Sequence, residues 1–154
     1  LSLIPSETLD FGSGVLSEYK SYYVPAAEEL QNDVNSHDIP AELKKLWSKA
    51  SRTSIYEDMS YGQWGLVIHD NSWAHRETEL YRDMYPDQLS TQDLIFGEFL
   101  GDSEKAIISL DPADYGSIKI MQPLESKEDW PVVASSLSEF LEKLLEGKGQ
   151  KYWS

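Results

Sequence analysis

No cysteine occurs among the 154 residues. Disulfides, thiolate metal sites and a cysteine nucleophile are thereby excluded, and the composition suits a reducing cytosol. No apolar run reaches the roughly 18 residues that a membrane-spanning helix needs. No basic start followed by an apolar stretch marks a secretory leader. A cytoplasmic chain without membrane contact is therefore expected. The phosphate-cradling and zinc-protease frames are missing as well: there is no Walker loop, no G-x-G-x-x-G and no H-E-x-x-H. Gly12-Ser-Gly14 does not complete the G-x-S-x-G of a nucleophile elbow. Bases are scarce, 13 against 27 acids, for a net charge of -14. Phosphate contacts need clustered Lys and Arg, so direct nucleic-acid binding is not expected. The densest basic group, Lys44, Lys45, Lys49 and Arg52, fits the solvated side of one helix.

What is present is enough for a core. Hydrophobic residues make up 40% of the chain and aromatics 12%, which argues against disorder and for one main domain. The acid excess is uneven. Residues 1–36 carry -5, 61–92 carry -3 and 93–131 carry -6, whereas 37–60 and 132–154 balance. A solvated, self-repelling surface accounts for such a balance, and so does a face that attracts a basic partner.

The clearest structural signal lies at 93–111. Two strand-length apolar runs, Leu94 to Leu100 and Ala106 to Leu110, flank a polar turn at Gly101 to Lys105, which is hairpin patterning. Alternation puts Leu94, Phe96 and Leu100 on one face and Ile95 and Phe99 on the other, so both faces are expected to be covered. Further strands are expected over Trp64 to His69 and Ser117 to Met121. A helix opens at Asp38-Ile-Pro40, with Asp38 as cap and Leu43, Leu46 and Trp47 on its apolar face, and ends at Arg52-Thr-Ser54. A second follows the turn and cap at Asp70-Asn-Ser72, with Trp73, Leu80, Tyr81 and Met84 on one side, and stops at Pro86. A third begins with the capping-box spacing Ser136-Leu-Ser-Glu139, carries the stripe Leu137, Phe140, Leu141 and Leu144, and stops at Gly147. Pro123 to Trp130 is a charged loop. Residues 1–37 are expected to form an N-terminal arm, irregular over 1–23 and with a short helix over Pro25 to Val34, ahead of an α+β domain at 38–154.

Candidate chemistry is thin. His69, Asp70, His75, Glu77 and Glu79 are metal-ligand types, but the two histidines fall on different elements, so no metal site is assigned. Asp111 and Asp114, with Glu98 and Asp102, could pair as acid and base, yet Asp111-Pro-Ala-Asp114 is more simply a turn held by its own side chains. No catalytic residue, cofactor or metal is assigned, and an enzyme is not expected. Five Trp and nine Tyr exceed what such a core requires. Aromatics at element ends suit a binding surface, and the contact face expected is Trp73, Glu98, Asp102, Asp111, Asp114, Tyr115 and Trp130.

Two motifs then carry a family likeness: Phe96-Gly-Glu-Phe-Leu-Gly-Asp102 before a strand, and the closing helix Ser136-Leu-Ser-Glu-Phe-Leu141. With the ending Gly149-Gln-Lys-Tyr-Trp153 and the order of elements, residues 38–153 resemble the SUKH superfamily, which includes the Smi/Knr regulators and many bacterial immunity proteins. The resemblance implies an α+β fold, a twisted and mostly antiparallel sheet with helices packed against it. It also implies a non-catalytic protein that binds and neutralises a cognate toxin of a polymorphic or contact-dependent system. The charge suggests a basic, nuclease-type toxin. The alternative within the same family is a Smi/Knr-like regulatory module without a toxin partner.

Overall fold

The structure, a computed structural model, describes residues 4–10, 16–26 and 38–154, with backbone alone for 4–10 and 16–17. Among the described residues it is α+β: one open antiparallel sheet with three helices packed against it. The strands are β1 (Ile4–Asp10), β2 (Leu16–Pro25), β3 (Ala50–Asp58), β4 (Leu66–Ile68), β5 (Asp93–Phe99), β6 (Lys105–Ser109), β7 (Ile118–Met121) and β8 (Val132–Ala134). Each pairs with its sequence neighbours, in the order β1 to β8. The helices are α1 (Ala41–Lys49), α2 (Asn71–Met84) and α3 (Leu137–Glu146). Helices α1 and α3 pack on one face, around the fully buried Trp47, Phe96 and Phe140. Helix α2 lies on the other, over a smaller cluster of Leu89, Ile95, Ile107, Met121 and Trp130, joined by Trp73, Tyr81 and Tyr85.

The hairpin β5–β6 sits in mid-sheet with both faces covered, as its apolar runs predict. Its facing differs in one respect. Ile95 pairs with Ile107 but Gly97 with Ala106, so Phe96 is an extra residue on β5. This bulge returns Phe99 to the side of Leu94 and Phe96, so it does not share a face with Ile95. Gly97 suits the site, because a Cβ there would stand 3.0 Å from the Val67 carbonyl.

Where an irregular arm is expected over 1–23, β1 and β2 are strands that extend the sheet, and β2 pairs with β3 from Tyr19 to Pro25. The helix expected over 25–34 lies outside the described residues from position 27 on, as does Gly12-Ser-Gly14. Helix α1 ends at Lys49 rather than at 52–54, and the chain turns straight into β3. Asp38 does not cap it: Pro40 is the N-cap, and Asp38 accepts a hydrogen bond from the Tyr115 hydroxyl. Strand β3 carries its own bulge. Lys20 pairs with Glu57 but Tyr22 with Ser54, and Tyr56 takes a positive φ of 50°, so Ile55 and Tyr56 both reach the main core.

The caps of the other helices follow their residues. Asp70 accepts from the Trp73 N–H and Ser136 from the Glu139 N–H. Helix α2 buries Asn71, Ala74 and Thr78, with Tyr81 beside them, and leaves Leu80 and Met84 in solvent. Of the stripe expected to face the core, Leu80 and Met84 are thus turned outward, while Trp73 and Tyr81 pack inward. Small residues let the helix approach β5 closely enough for the Thr78 hydroxyl to accept from the Ile95 N–H at 2.9 Å while donating to Ala74 O.

Helix α3 stops at Gly147 as expected, and the left-handed turn follows at Lys148 and Gly149. The tail then lies back over the β5–β6 turn. Lys151 is clamped between Asp102 and Glu104 and sits over the Phe99 and Trp64 rings. Trp153 packs against Phe99 and Phe140. Burial pushes the Tyr152 phenol up to about 12, aided by the charge of Glu139, and its hydroxyl donates to Val133 O at 2.8 Å.

Candidate partner-binding surface

The face of the sheet shared with α2 is apolar only toward β6 and β7. Toward β2 it becomes a polar row that register alone builds. Tyr22 opposes Ser54, Ser54 opposes Val67, Val67 opposes Glu98 and Glu98 opposes Lys105. Side chains on one face of adjacent strands come close when they stand opposite each other, and here the hydrogen bonds of Tyr22 and Ser54 converge on Glu57. The Glu57 Oε1 atom accepts from the Tyr22 hydroxyl, the Ser54 hydroxyl and Arg52 Nη2, each at 2.9 Å. Burial works against a charge on Glu57, but these donors outweigh it and hold its pKa below the ordinary carboxylate value.

Glu98 is the centre of the second half. His69 Nε2 lies 3.0 Å from its Oε2, and the His69 ring stacks on Trp73 with centroids 4.1 Å apart. Lys105 stands over the Tyr81 ring and 4.0 Å from Glu77. The hydrogen bond from His69 lowers the Glu98 pKa against the opposing effect of burial, and Lys105 and Arg52 add to the lowering. Both inner carboxylates are therefore ionised at neutral pH. A hydrolytic pair needs one carboxyl kept protonated as the acid, and this arrangement works against that.

Of the seven residues expected to form a contact face, the structure brings Trp73 and Glu98 together through His69. The others lie elsewhere. Asp102 is in the β5–β6 turn, where it accepts from the Glu104 N–H and pairs with Lys151. Asp111, Asp114 and Tyr115 lie in the β6–β7 turn. There Asp111 accepts from the Ala113 N–H, and Asp114 from the Ser109 and Ser117 hydroxyls. Antiparallel pairing puts consecutive turns at opposite ends of the sheet, so the structure does not bring these groups into contact with one another. Trp130 is no surface anchor at all: it is 4% exposed, inside the smaller core, and its indole N–H donates to Gln122 O and Glu125 O. An amphipathic tryptophan in a charged loop resembles a surface residue in sequence, but both its apolar ring and its N–H find partners inside.

The candidate ligands disperse likewise. His75 Nδ1 is 2.9 Å from Asn71 O, Asp70 caps α2, and His69 faces Glu98. Among the described residues no three His, Asp or Glu side chains form a group able to hold a metal ion, and no helix is long and apolar enough to cross a membrane.

Sequence reasoning missed Tyr22, Arg52 and Glu57 because β3 was not legible as a strand. It also did not assign the outward flank of α2 to the contact face. There Glu79, Asp83 and Asp87 are exposed, and Glu125, Glu128 and Asp129 are exposed in the neighbouring β7–β8 loop. Two bases on this flank turn inward, Arg82 donating to Ser90 O and Lys127 pairing with Asp93, whereas Arg76 is exposed. No protein-family model, no curated protein and no solved structure matches the chain.

Proposed function

We propose that this chain is a cytoplasmic protein-binding module of the immunity type, which holds a basic, nuclease-type toxin domain and blocks the surface that would meet nucleic acid. The reading rests on the sequence resemblance, and one observation carries it in the structure. The chain has a net charge of -14, and the half-buried carboxylates of the polar row, Glu57 and Glu98, are hydrogen-bonded internally. The excess negative charge therefore stands on exposed side chains such as Glu79, Asp83, Asp87 and Glu128. Charge so placed speeds the encounter with a basic partner, while apolar contacts set the lifetime of the complex. Its cost in self-repulsion is a reason to expect such a partner.

The test is to express the polypeptide encoded next to this one in its genome, with and without the present chain. Tight binding by calorimetry, together with rescue of growth, is the expected result. A neighbouring product that is neither toxic nor bound, or binding to a cellular protein that confers no protection, would sink the immunity reading.

A further inference from the structure

Helix α2 carries two stripes, and the fold uses one. Asn71, Ala74 and Thr78 face the sheet, flanked by Tyr81. Leu80 and Met84 form the other, at i and i+4, while Trp73 packs against the core and stacks on His69. Leu80 is 53% exposed and Met84 51%. Leu124 is 97% exposed in the β7–β8 loop. That loop is bound to the end of α2, since the Lys127 N–H donates to Gln88 Oε1 at 2.7 Å and Trp130 packs with Tyr81 and Tyr85. Three large apolar side chains thus stand out on a flank whose rim is Glu79, Asp83, Asp87 and Glu128, with Arg76 an exposed base one turn before Leu80.

We infer that this outward face of α2, continued by the β7–β8 loop, is where a basic protein docks, with Leu80 and Met84 as its apolar centre and the carboxylates as its rim. This rests on the proposed function and locates it. The layout is that of a protein interface, apolar inside and charged outside. Charge selects the occupant. A second copy on the same face would pack by two-fold symmetry and set Glu79, Asp83 and Asp87 against their own duplicates. A cationic partner turns that repulsion into attraction. The stripe also explains why α2 presents Leu80 and Met84 where its fold needs neither: the buried side is already filled.

The experiment measures binding of the purified product of the neighbouring gene to three proteins: the unaltered chain, Leu80→Ser/Met84→Ser and Asp83→Lys/Asp87→Lys. All the altered positions are exposed, so circular dichroism and urea midpoints should stay near those of the unaltered chain. The apolar pair should weaken affinity at least about tenfold, mainly through faster dissociation. The charge reversal should slow association several-fold and flatten its salt dependence. Binding that both variants retain unchanged overturns the docking face and leaves the proposed function standing. No binding by the unaltered chain overturns both. An unaltered chain that sediments as a dimer, with the Leu80→Ser/Met84→Ser variant monomeric, makes the face a self-interface and overturns the inference.

Discussion

Replacing Gly101 by alanine tests how the central hairpin is seated. Gly101 has φ +87°, and a Cβ built there would fall 2.0 Å from the Gln63 carbonyl oxygen and 2.7 Å from its carbon. The neighbouring backbone is tied at the same place, with the Leu100 N–H donating to Gly65 O at 2.9 Å. The left-handed conformation costs about 1–2 kcal/mol for a residue with a Cβ. Relief of the clash must move backbone rather than a side-chain tip, adding about 1–3 kcal/mol as in overpacked cores. Gly116 is the internal control: it has φ +88° but nothing within 4 Å of its built Cβ. Gly116→Ala should cost only the conformational part, and the change in unfolded-chain entropy is common to both. Urea unfolding followed by tryptophan fluorescence would give the two midpoints. A difference of about 1–3 kcal/mol, or some 2–12 °C in Tm for a chain of this size, is expected. Equal losses would refute the close approach of the β5–β6 turn to the 59–65 loop.

The Glu98 pKa is lowered on folding, so its stabilising effect is full above the unfolded value of about 4.3 and lost as pH falls through the folded one. The stability advantage of the unaltered chain over Glu98→Gln should therefore shrink on acidification, and parallel urea midpoints between pH 6 and 2.5 would disprove the pairing with His69. Lys151→Met leaves Asp102 and Glu104 without their cation and should cost about 1–2 kcal/mol. Burial lowers the Lys151 pKa, but hydrogen bonds to Asp102 and Glu104 outweigh it and leave a net rise. The difference should hold below about pH 10.4 and vanish as pH climbs through that raised value. Trp130→Phe removes the N–H shared by Gln122 O and Glu125 O and should cost about 2–3 kcal/mol of stability. Partner affinity unchanged at saturating folded protein would agree with its burial, whereas a tenfold loss with stability intact would contradict it.

The elements legible in sequence are those whose signal is local. The β5–β6 hairpin, the caps at Asp70 and Ser136 and the Leu43–Leu46–Trp47 face each follow from residues within one turn or one strand. Strand β3 was hidden because its outward side is Arg52, Ser54 and Glu57 and its inward alternation is broken at Ile55 and Tyr56 by the bulge. Such a segment acquires its character from β2 and β4, which a reading of one stretch cannot see. The inner face of α2 misled for a different reason. Hydrophobicity favours Leu80 and Met84, but close contact with β5 favours Ala74 and Thr78, and Thr78 also satisfies the Ile95 N–H at the bulge. The candidate surface was legible only through Trp73 and Glu98. His69, a metal-ligand type in sequence, instead holds Glu98, and the sequence locates the acid excess in 61–92 and 93–131 without showing that these segments meet on one flank. The Phe96 to Asp102 motif, noticed as a family marker, is explained within this fold by the bulge, the Gly101 contact and the Asp102 turn.

The meander order of the sheet bears on how the molecule comes into being. Because each strand pairs with the one made just before it, most loop closures are short, which favours rapid assembly during synthesis. The segment after α3 is one exception, since Lys151 reaches back 49 residues to Asp102. The hairpin can form as soon as β6 emerges, but Lys151 and Trp153 close over it only once they too have been made. The sheet is thus zipped strand by strand and latched afterwards, and the latch should act chiefly by slowing unfolding rather than by speeding the zip.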